Sequence, residues 1–253
     1  MWEFSLNLKT ENFELAKFIY NNISLFCSKC HAVVTSVEEG GYISILVAVK
    51  EQDKERTQVY LSSCITEVIC TVFKSSFLDA NLFLPSQDKL GMNAFKKALL
   101  NFDKETDRYL VRKSLKLEKD FFLESFYQFK LATLKSKWTE LVTLANENRE
   151  YLTSSESFID LLKFLIDNLE ICEEEISIYQ SADHSYKIYV SDKQYQNKDF
   201  SEEFLVSSII DLSPQKINLY CQDESRAITL LHRLFDERIT DKNISHINNF
   251  GKI

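Results

Sequence analysis

Glycine and proline are unusually rare in this chain, which has four glycines and two prolines among 253 residues. An average protein uses these two residues at about 12% of its positions. Because the turns between short strands depend on them, their scarcity disfavours all-β sandwiches and barrels and indicates that helices dominate. The four glycines are also too few and too scattered for the glycine-rich phosphate loops or the nucleophile elbow of common enzymes.

The rest of the composition is that of an ordinary globular protein, with 45% hydrophobic residues, 27% charged residues and a net charge of −8. The amino terminus carries an acid at Glu3 and lacks the basic and apolar regions of a secretory signal. The longest apolar runs are shorter than the roughly 20 residues that a membrane-spanning helix needs. We therefore expect a cytoplasmic protein without a transmembrane segment, whose six cysteines are reduced thiols.

Residues 1–85 are predicted to form an N-terminal α+β unit. The hydrophobic periodicity predicts, in chain order, a strand over 2–8, a helix over 11–23, strands over 32–37 and 42–49, and a helix over 58–77. Gly40 and Gly41 separate the two central strands and supply the positive φ angles of a tight hairpin.

Residues 86–170 are predicted to form a helical middle, residues 171–240 a C-terminal α+β unit, and residues 241–253 a tail. The expected elements are helices over 93–100, 118–145 and 153–169, strands over 175–179 and 186–190, a helix over 201–212, a strand over 216–221 and a last helix capped by Asp223. Thr153 and Glu156 fit a capping box. The fold class is thus α+β, and the similar element order of the two ends fits either a diverged repeat or chance.

One short motif has the spacing of a metal or haem ligand set. Cys27, Cys30 and His31 form a CxxCH pattern, which also occurs in redox pairs and as half of a zinc site. A second ligand pair at close spacing does not follow, and the four histidines form no HExxH motif. We expect ordinary thiols here and no cofactor, with a metal-dependent enzyme built on these three residues as the third candidate function.

The charge is distributed unevenly along the chain. Residues 96–137 carry a net charge of +5, so the remainder carries −13. A basic segment in an acidic protein can bind an acidic protein partner, nucleic acid or an anionic membrane, or can balance the acidic ends internally. The candidate binding residues within this segment are Lys97, Arg108, Arg112, Lys113, Lys116 and Lys130.

Three runs of residues resemble the YtxC-like sporulation proteins of spore-forming bacteria. Residues 121–131, FFLESFYQFKL, are similar to that family's E-G-F-x-x-F-R-L helix, with Ser125 in place of the glycine and Lys130 in place of the arginine. Residues 156–165, ESFIDLLKFL, and 212–217, LSPQKI, resemble two further family elements. The resemblance covers roughly residues 64–238 and implies an intracellular protein linked to spore formation, without a catalytic residue or cofactor to carry over.

From these observations we expect a non-enzymatic protein that acts by binding another protein. A nucleic-acid-associated regulator that uses the basic segment 96–137 is the alternative. The apolar positions Phe126, Phe129 and Leu131 are predicted to build a helix-packing seam. The sequence does not identify the partner or the oligomeric state.

Overall fold

The structure is a computed structural model that describes residues 1–83, 88–147, 155–181, 185–191, 193–195, 201–221 and 225–242. Helices and two mixed β-sheets confirm the α+β class. The chain divides into two compact units: unit 1 comprises Met1–Ala80 and Glu105–Glu140, and unit 2 comprises Asn81–Lys104 and Leu141–Ile253. The helices of the predicted middle region are therefore shared between the two units.

The elements are named in chain order. The first half of the chain contains β1 (Trp2–Lys9), α1 (Phe13–Cys27), β2 (Ala32–Glu39), β3 (Tyr42–Val49), α2 (Lys54–Val68), α3 (Lys74–Asn81), α4 (Lys89–Asn101) and α5 (Lys104–Ser114). The second half contains β4 (Asp120–Phe122), α6 (Leu123–Lys130), α7 (Ala132–Glu147), α8 (Ser155–Asp167), β5 (Glu173–Gln180), β6 (Tyr186–Val190), β7 (Lys193–Gln194), α9 (Glu202–Leu212), β8 (Pro214–Tyr220), α10 (Arg226–Phe235) and β9 (Ile239–Asp241).

The sheet of unit 1 has the strand order β2-β3-β1-β4. Its predicted hairpin is confirmed: β2 and β3 pair in antiparallel fashion around Gly40 and Gly41, whose φ angles are +59° and +81°. β1 pairs with β3 in antiparallel fashion and with β4 in parallel. Alternate residues of β1 and β3, among them Leu6 and Ile45, are fully buried and face the core that contains residues of α1 and α2.

The longest helical run of unit 1, Glu51–Asn81, joins α2 to α3 through a π-helical turn at Ile69–Phe73. By length and composition alone this run is apolar enough to cross a membrane, and 44% of its most apolar stretch is buried inside the structure. Core helices often share this composition, and Leu61 and Ile65 belong to the same buried cluster as the strands of the first sheet. The run is therefore weak support for a membrane span.

A buried ion pair lies among the helices that follow. Lys74 and Asp107 are both 1% exposed, and Lys74 Nζ donates to Asp107 Oδ2 at 2.7 Å. Trp138 Nε1 donates to the same oxygen at 3.0 Å, and Lys137 Nζ lies 3.8 Å from Oδ1. Burial lowers the pKa of Lys74 below its ordinary value, against the opposing influence of Asp107. These contacts tie α3, α5 and α7 together within unit 1.

The predicted helix over 118–145 is wrong as one element. Residues 120–122 form β4, α6 ends at Lys130, and α7 starts after Leu131, whose φ of −109° and ψ of 36° interrupt the helix. The strand forms because its backbone pairs with β1, from Ser5 opposite Asp120 onward. Pairing across such a sequence distance leaves no trace in local periodicity.

Unit 2 contains the second sheet, with the strand order β7-β6-β5-β8-β9. The β5–β6 pair is antiparallel, whereas β8 runs parallel to both β5 and β9. Its hairpin holds the first two strands of the sheet, β5 and β6, and α9 and α10 follow it, whereas in unit 1 β1 and α1 precede the hairpin, so the two sheets differ in connectivity.

The helices of unit 2 begin and end close to their predicted bounds. The apolar stripe of α8 is confirmed, with Phe158, Leu162 and Ile166 buried. Ser201 caps α9 by accepting from the backbone N–H of Phe204, and Ser225 caps α10. The predicted caps at Thr153 and Asp223 lie outside the described residues, as do the turn residues 182–184 and the tail from residue 243.

Candidate functional site

An open groove of about 610 Å³ lies on unit 1, lined by residues of 113–130 from the end of α5, the following loop, β4 and α6. We call it the lysine groove. Its lining includes three of the predicted binding residues, Lys113, Lys116 and Lys130. The chain reverses between α5 and α6, which brings cations separated by up to 17 positions in the sequence to one concave surface.

Backbone pairing and one carboxylate hold the walls of the lysine groove in place. The backbone N–H of Ser5 donates to the carbonyl oxygen of Lys119 at 2.7 Å, where β4 begins to pair with β1. Glu124, in the first turn of α6, accepts from the backbone N–H of Lys9 at 3.0 Å and from Asn12 Nδ2 at 2.6 Å. These bonds fasten α6 to the end of β1 and so position the groove residues that follow.

The floor of the lysine groove is aromatic. Phe121 and Phe126 are buried, with ring centroids 5.1 Å apart, and Phe121 packs in turn against Phe4. Phe122 is 41% exposed, and its ring packs in a T-shaped arrangement with the ring of Tyr42, with the two centroids 5.4 Å apart. The buried rings anchor the floor in the core of unit 1, and the exposed ones present apolar surface to the solvent.

Phe129 departs from the predicted helix-packing seam. The burial of Phe126 and Leu131 agrees with that seam, but Phe129 is 70% exposed and borders the groove. The helical spacing indicated burial, whereas α6 ends at Lys130, one residue after Phe129. Phe129 and the 41% exposed Phe122 thus both contribute apolar surface to the groove lining.

The three lysines of the groove are exposed, and Lys113 Nζ lies 5.8 Å from the centroid of the Tyr109 ring. Within the part of the chain that the structure describes, no carboxylate lies within 4.0 Å of Lys113, Lys116 or Lys130. Glu118 and Asp120 also line the groove, so its rim mixes three cations with two acids. This arrangement attracts an anionic group at specific points without forming a uniformly basic surface.

The other three predicted binding residues lie elsewhere or are already engaged. Lys97 belongs to unit 2 and lies 2.7 Å from Asp211. Arg108 donates to Glu67 at 2.7 Å and to Glu105, and these hydrogen bonds raise its pKa. Arg112 is exposed on α5 outside the groove lining. The six candidates are therefore divided between the two units, and three of them line the lysine groove.

The CxxCH motif lies at the end of α1. Cys27 is buried, and desolvation raises its pKa to about 11, which disfavours the thiolate that metal binding needs. Cys30 Sγ donates to the carbonyl oxygens of Phe26 and Cys27. His31 Nδ1 lies 3.4 Å from Asp53. Among the described residues, no group of three or more His, Cys, Asp or Glu side chains is arranged to hold a metal ion.

The fold and the groove define a class: an α+β protein with two compact units, one of which presents an aromatic concavity rimmed by lysines. The model of the YtxC-like family matches residues 92–240, more than half of the chain. The chain belongs to the YtxC-like family. No curated protein and no solved structure matches it.

Part of the run 121–131, which resembles the family signature, lines the groove. Ser125, Phe126, Phe129 and Lys130 stand at signature positions and line the concavity, and Glu124 fastens its wall to β1. The sequence identified these residues but predicted a structural role for the aromatic ones. Phe126 and Phe129 match the family pattern, whereas Ser125 and Lys130 replace its glycine and arginine, so the groove lining includes both matching and differing positions.

Proposed function

We propose that this protein is a non-enzymatic, cytoplasmic binding protein of spore formation, which holds a protein partner in the lysine groove. The single observation that supports this most directly is the position of Phe129, 70% exposed at a concavity rimmed by lysines without carboxylate partners. The family membership supports the link to sporulation.

The groove combines the two kinds of contact that dominate protein interfaces. Covering a large aromatic side chain removes apolar surface from water, at about 25 cal/mol per Å². Truncation of such central anchors commonly costs more than about 2 kcal/mol of binding energy. The lysines orient the partner, because a carboxylate of the partner is attracted most strongly where it contacts Lys113, Lys116 or Lys130. The partner segment is therefore expected to present an apolar side chain next to an acidic one.

A pull-down from sporulating cells, compared with vegetative cells, tests this proposal. The wild-type protein is expected to capture a partner from the sporulating cells, and Phe129→Ser and Lys130→Glu are expected to lose it. Two matched controls lie on α1 in the same unit: Phe18→Ser, at a residue 57% exposed, and Lys17→Glu, at an exposed lysine. Equal capture by all five proteins, or no capture by the wild type, contradicts the proposal.

The second candidate is a nucleic-acid-associated regulator. It is favoured by four exposed cations for which the described residues offer no carboxylate within 4.0 Å: Arg112, Lys113, Lys116 and Lys130. The acids on the groove rim and the net charge of −8 disfavour binding to the phosphate backbone of a nucleic acid.

Salt dependence separates the two candidates. A protein that neutralises several phosphates loses about 10³-fold or more in affinity between about 50 and 200 mM salt. Such a loss for DNA or RNA, removed by the double variant Lys113→Glu/Lys116→Glu, would support the regulator. We expect no measurable nucleic-acid binding at moderate salt.

A further inference from the structure

Among the residues that the structure describes, three of the four sheet edges are short, and one is not. The edge strands β4, β7 and β9 have three, two and three residues, whereas the edge strand β2 has eight. Proteins keep exposed edges short because unpaired backbone groups invite another strand to pair. By contrast, β2 presents an edge of eight residues on unit 1.

The first six residues of β2, 32–37, also lack the charges and prolines that usually protect an edge. Residues 32–39, AVVTSVEE, contain no lysine or proline, and the pairing with β3 runs from Ala32 to Glu39 without a bulge. Val33 is 69% exposed and Val37 is 46% exposed. Outside its ladder with β3, the one backbone hydrogen bond of β2 within the described residues joins the N–H of Ala32 to the carbonyl oxygen of Cys30. The outer edge is therefore open, and it exposes two valines among polar residues.

The charges at the two ends of β2 are complementary to each other. Glu38 and Glu39 are exposed at its end, and the described residues place no cation within 4.0 Å of either carboxylate. Lys29 and His31 are exposed just before its start. A parallel copy of this strand would set the acidic ends against each other, whereas an antiparallel copy sets each acidic end against the end that holds Lys29 and His31, where His31 Nδ1 also lies 3.4 Å from Asp53.

We propose that β2 pairs with β2 of a second copy of this chain, in antiparallel fashion about a two-fold axis at Thr35. In this register Val33 of each copy faces Val37 of the other, and His31 faces Glu39. Each contact occurs twice, as a two-fold interface requires. The two four-stranded sheets join into one sheet of eight strands, and the exposed valines cover each other.

The molar mass of the full chain in solution tests the pairing. Light scattering is expected to show twice the 29.6 kDa of one chain. Val33→Lys is expected to raise the dimer dissociation constant at least about tenfold, since the two-fold interface contains the substitution twice. Val59→Lys, on α2 at a residue 66% exposed, is the matched control and keeps the dimer. A monomer at every concentration, or a dimer insensitive to Val33→Lys, overturns the proposal.

The register is tested by cross-linking in a Cys172→Ser background, which removes the exposed thiol. Thr35→Cys places two thiols directly opposite, where Cα atoms about 4.5 to 5.5 Å apart permit a disulfide. Ser36→Cys places them two residues out of register, more than about 8 Å apart, which does not. With oxidised glutathione we expect covalent dimers from Thr35→Cys only. Equal cross-linking of both variants overturns the register and with it the proposed interface.

Discussion

Replacing Asp107 with asparagine is expected to destabilise unit 1 strongly, because it removes the carboxylate 2.7 Å from the buried ammonium of Lys74. Breaking a buried ion pair from one side commonly costs about 3 to 5 kcal/mol. The asparagine oxygen still accepts from Trp138 Nε1, so we expect a value near about 3 kcal/mol. The cost comes from the ammonium that stays buried, and the loss of one hydrogen bond contributes little.

The free-energy cost of Asp107→Asn is expected to decrease as the pH rises. Burial already holds the pKa of Lys74 below its ordinary 10.5, and removing Asp107 lowers it further. Below the lowered pKa the unfolded and folded states both carry the proton, and the full cost is present. Between the lowered pKa and 10.5 the unfolded state binds more protons, so stability rises with pH. The deficit of Asp107→Asn is therefore expected to shrink on going from neutral to alkaline pH.

Urea unfolding followed by tryptophan fluorescence measures this effect, because Trp2 and Trp138 both lie in unit 1. With a slope of about 3 kcal/mol per M urea, the midpoint falls by about 1 M. The double variant Lys74→Met/Asp107→Asn removes both charges and is expected to recover most of the loss. If the single and double variants were equally unstable, or if the single variant unfolded like the wild type, the reasoning about the buried charge would be refuted.

Three further predictions concern the backbone and the caps. Gly40→Val is expected to cost about 1 to 2 kcal/mol, because φ is +59° there, and Gly40→Asn is expected to cost less. Gly91→Ala is expected to cost about 1 to 3 kcal/mol, since the new Cβ would lie 2.9 Å from the ring of Phe158 and from Asp88 Oδ2. Ser225→Ala removes the cap of α10 and is expected to cost about 1 kcal/mol, which Ser225→Asp restores. Circular dichroism during thermal unfolding measures all three, and unchanged midpoints contradict them.

Local patterns predicted the elements whose cause is local. The period-two alternation of β1, the glycine pair of the hairpin and the apolar stripe of α8 all appear in the structure close to the predicted positions. β4 was missed because its backbone pairs with a strand more than a hundred residues earlier in the chain. The break at Leu131 was missed because no glycine or proline marks it. Both errors lie in the segment that builds the groove.

The candidate site was therefore predicted only in part. The excess of positive charge identified Lys113, Lys116 and Lys130, but the same reasoning included Lys97, which the structure places in unit 2. The exposure of Phe129 depends on where α6 ends, which the periodicity did not indicate. The β2 edge depends on the order of strands in the sheet, since the sequence shows a hairpin but not which strand lies outside.

The affinity of the captured partner for the wild-type protein and for Phe129→Ser, measured by calorimetry, tests the central proposal most directly. If the lysine groove holds the partner around Phe129, the variant binds at least about 30-fold more weakly, as expected for a central aromatic anchor. Phe18→Ser is expected to bind like the wild type. Equal affinities of the wild type and Phe129→Ser would show that the partner binds elsewhere.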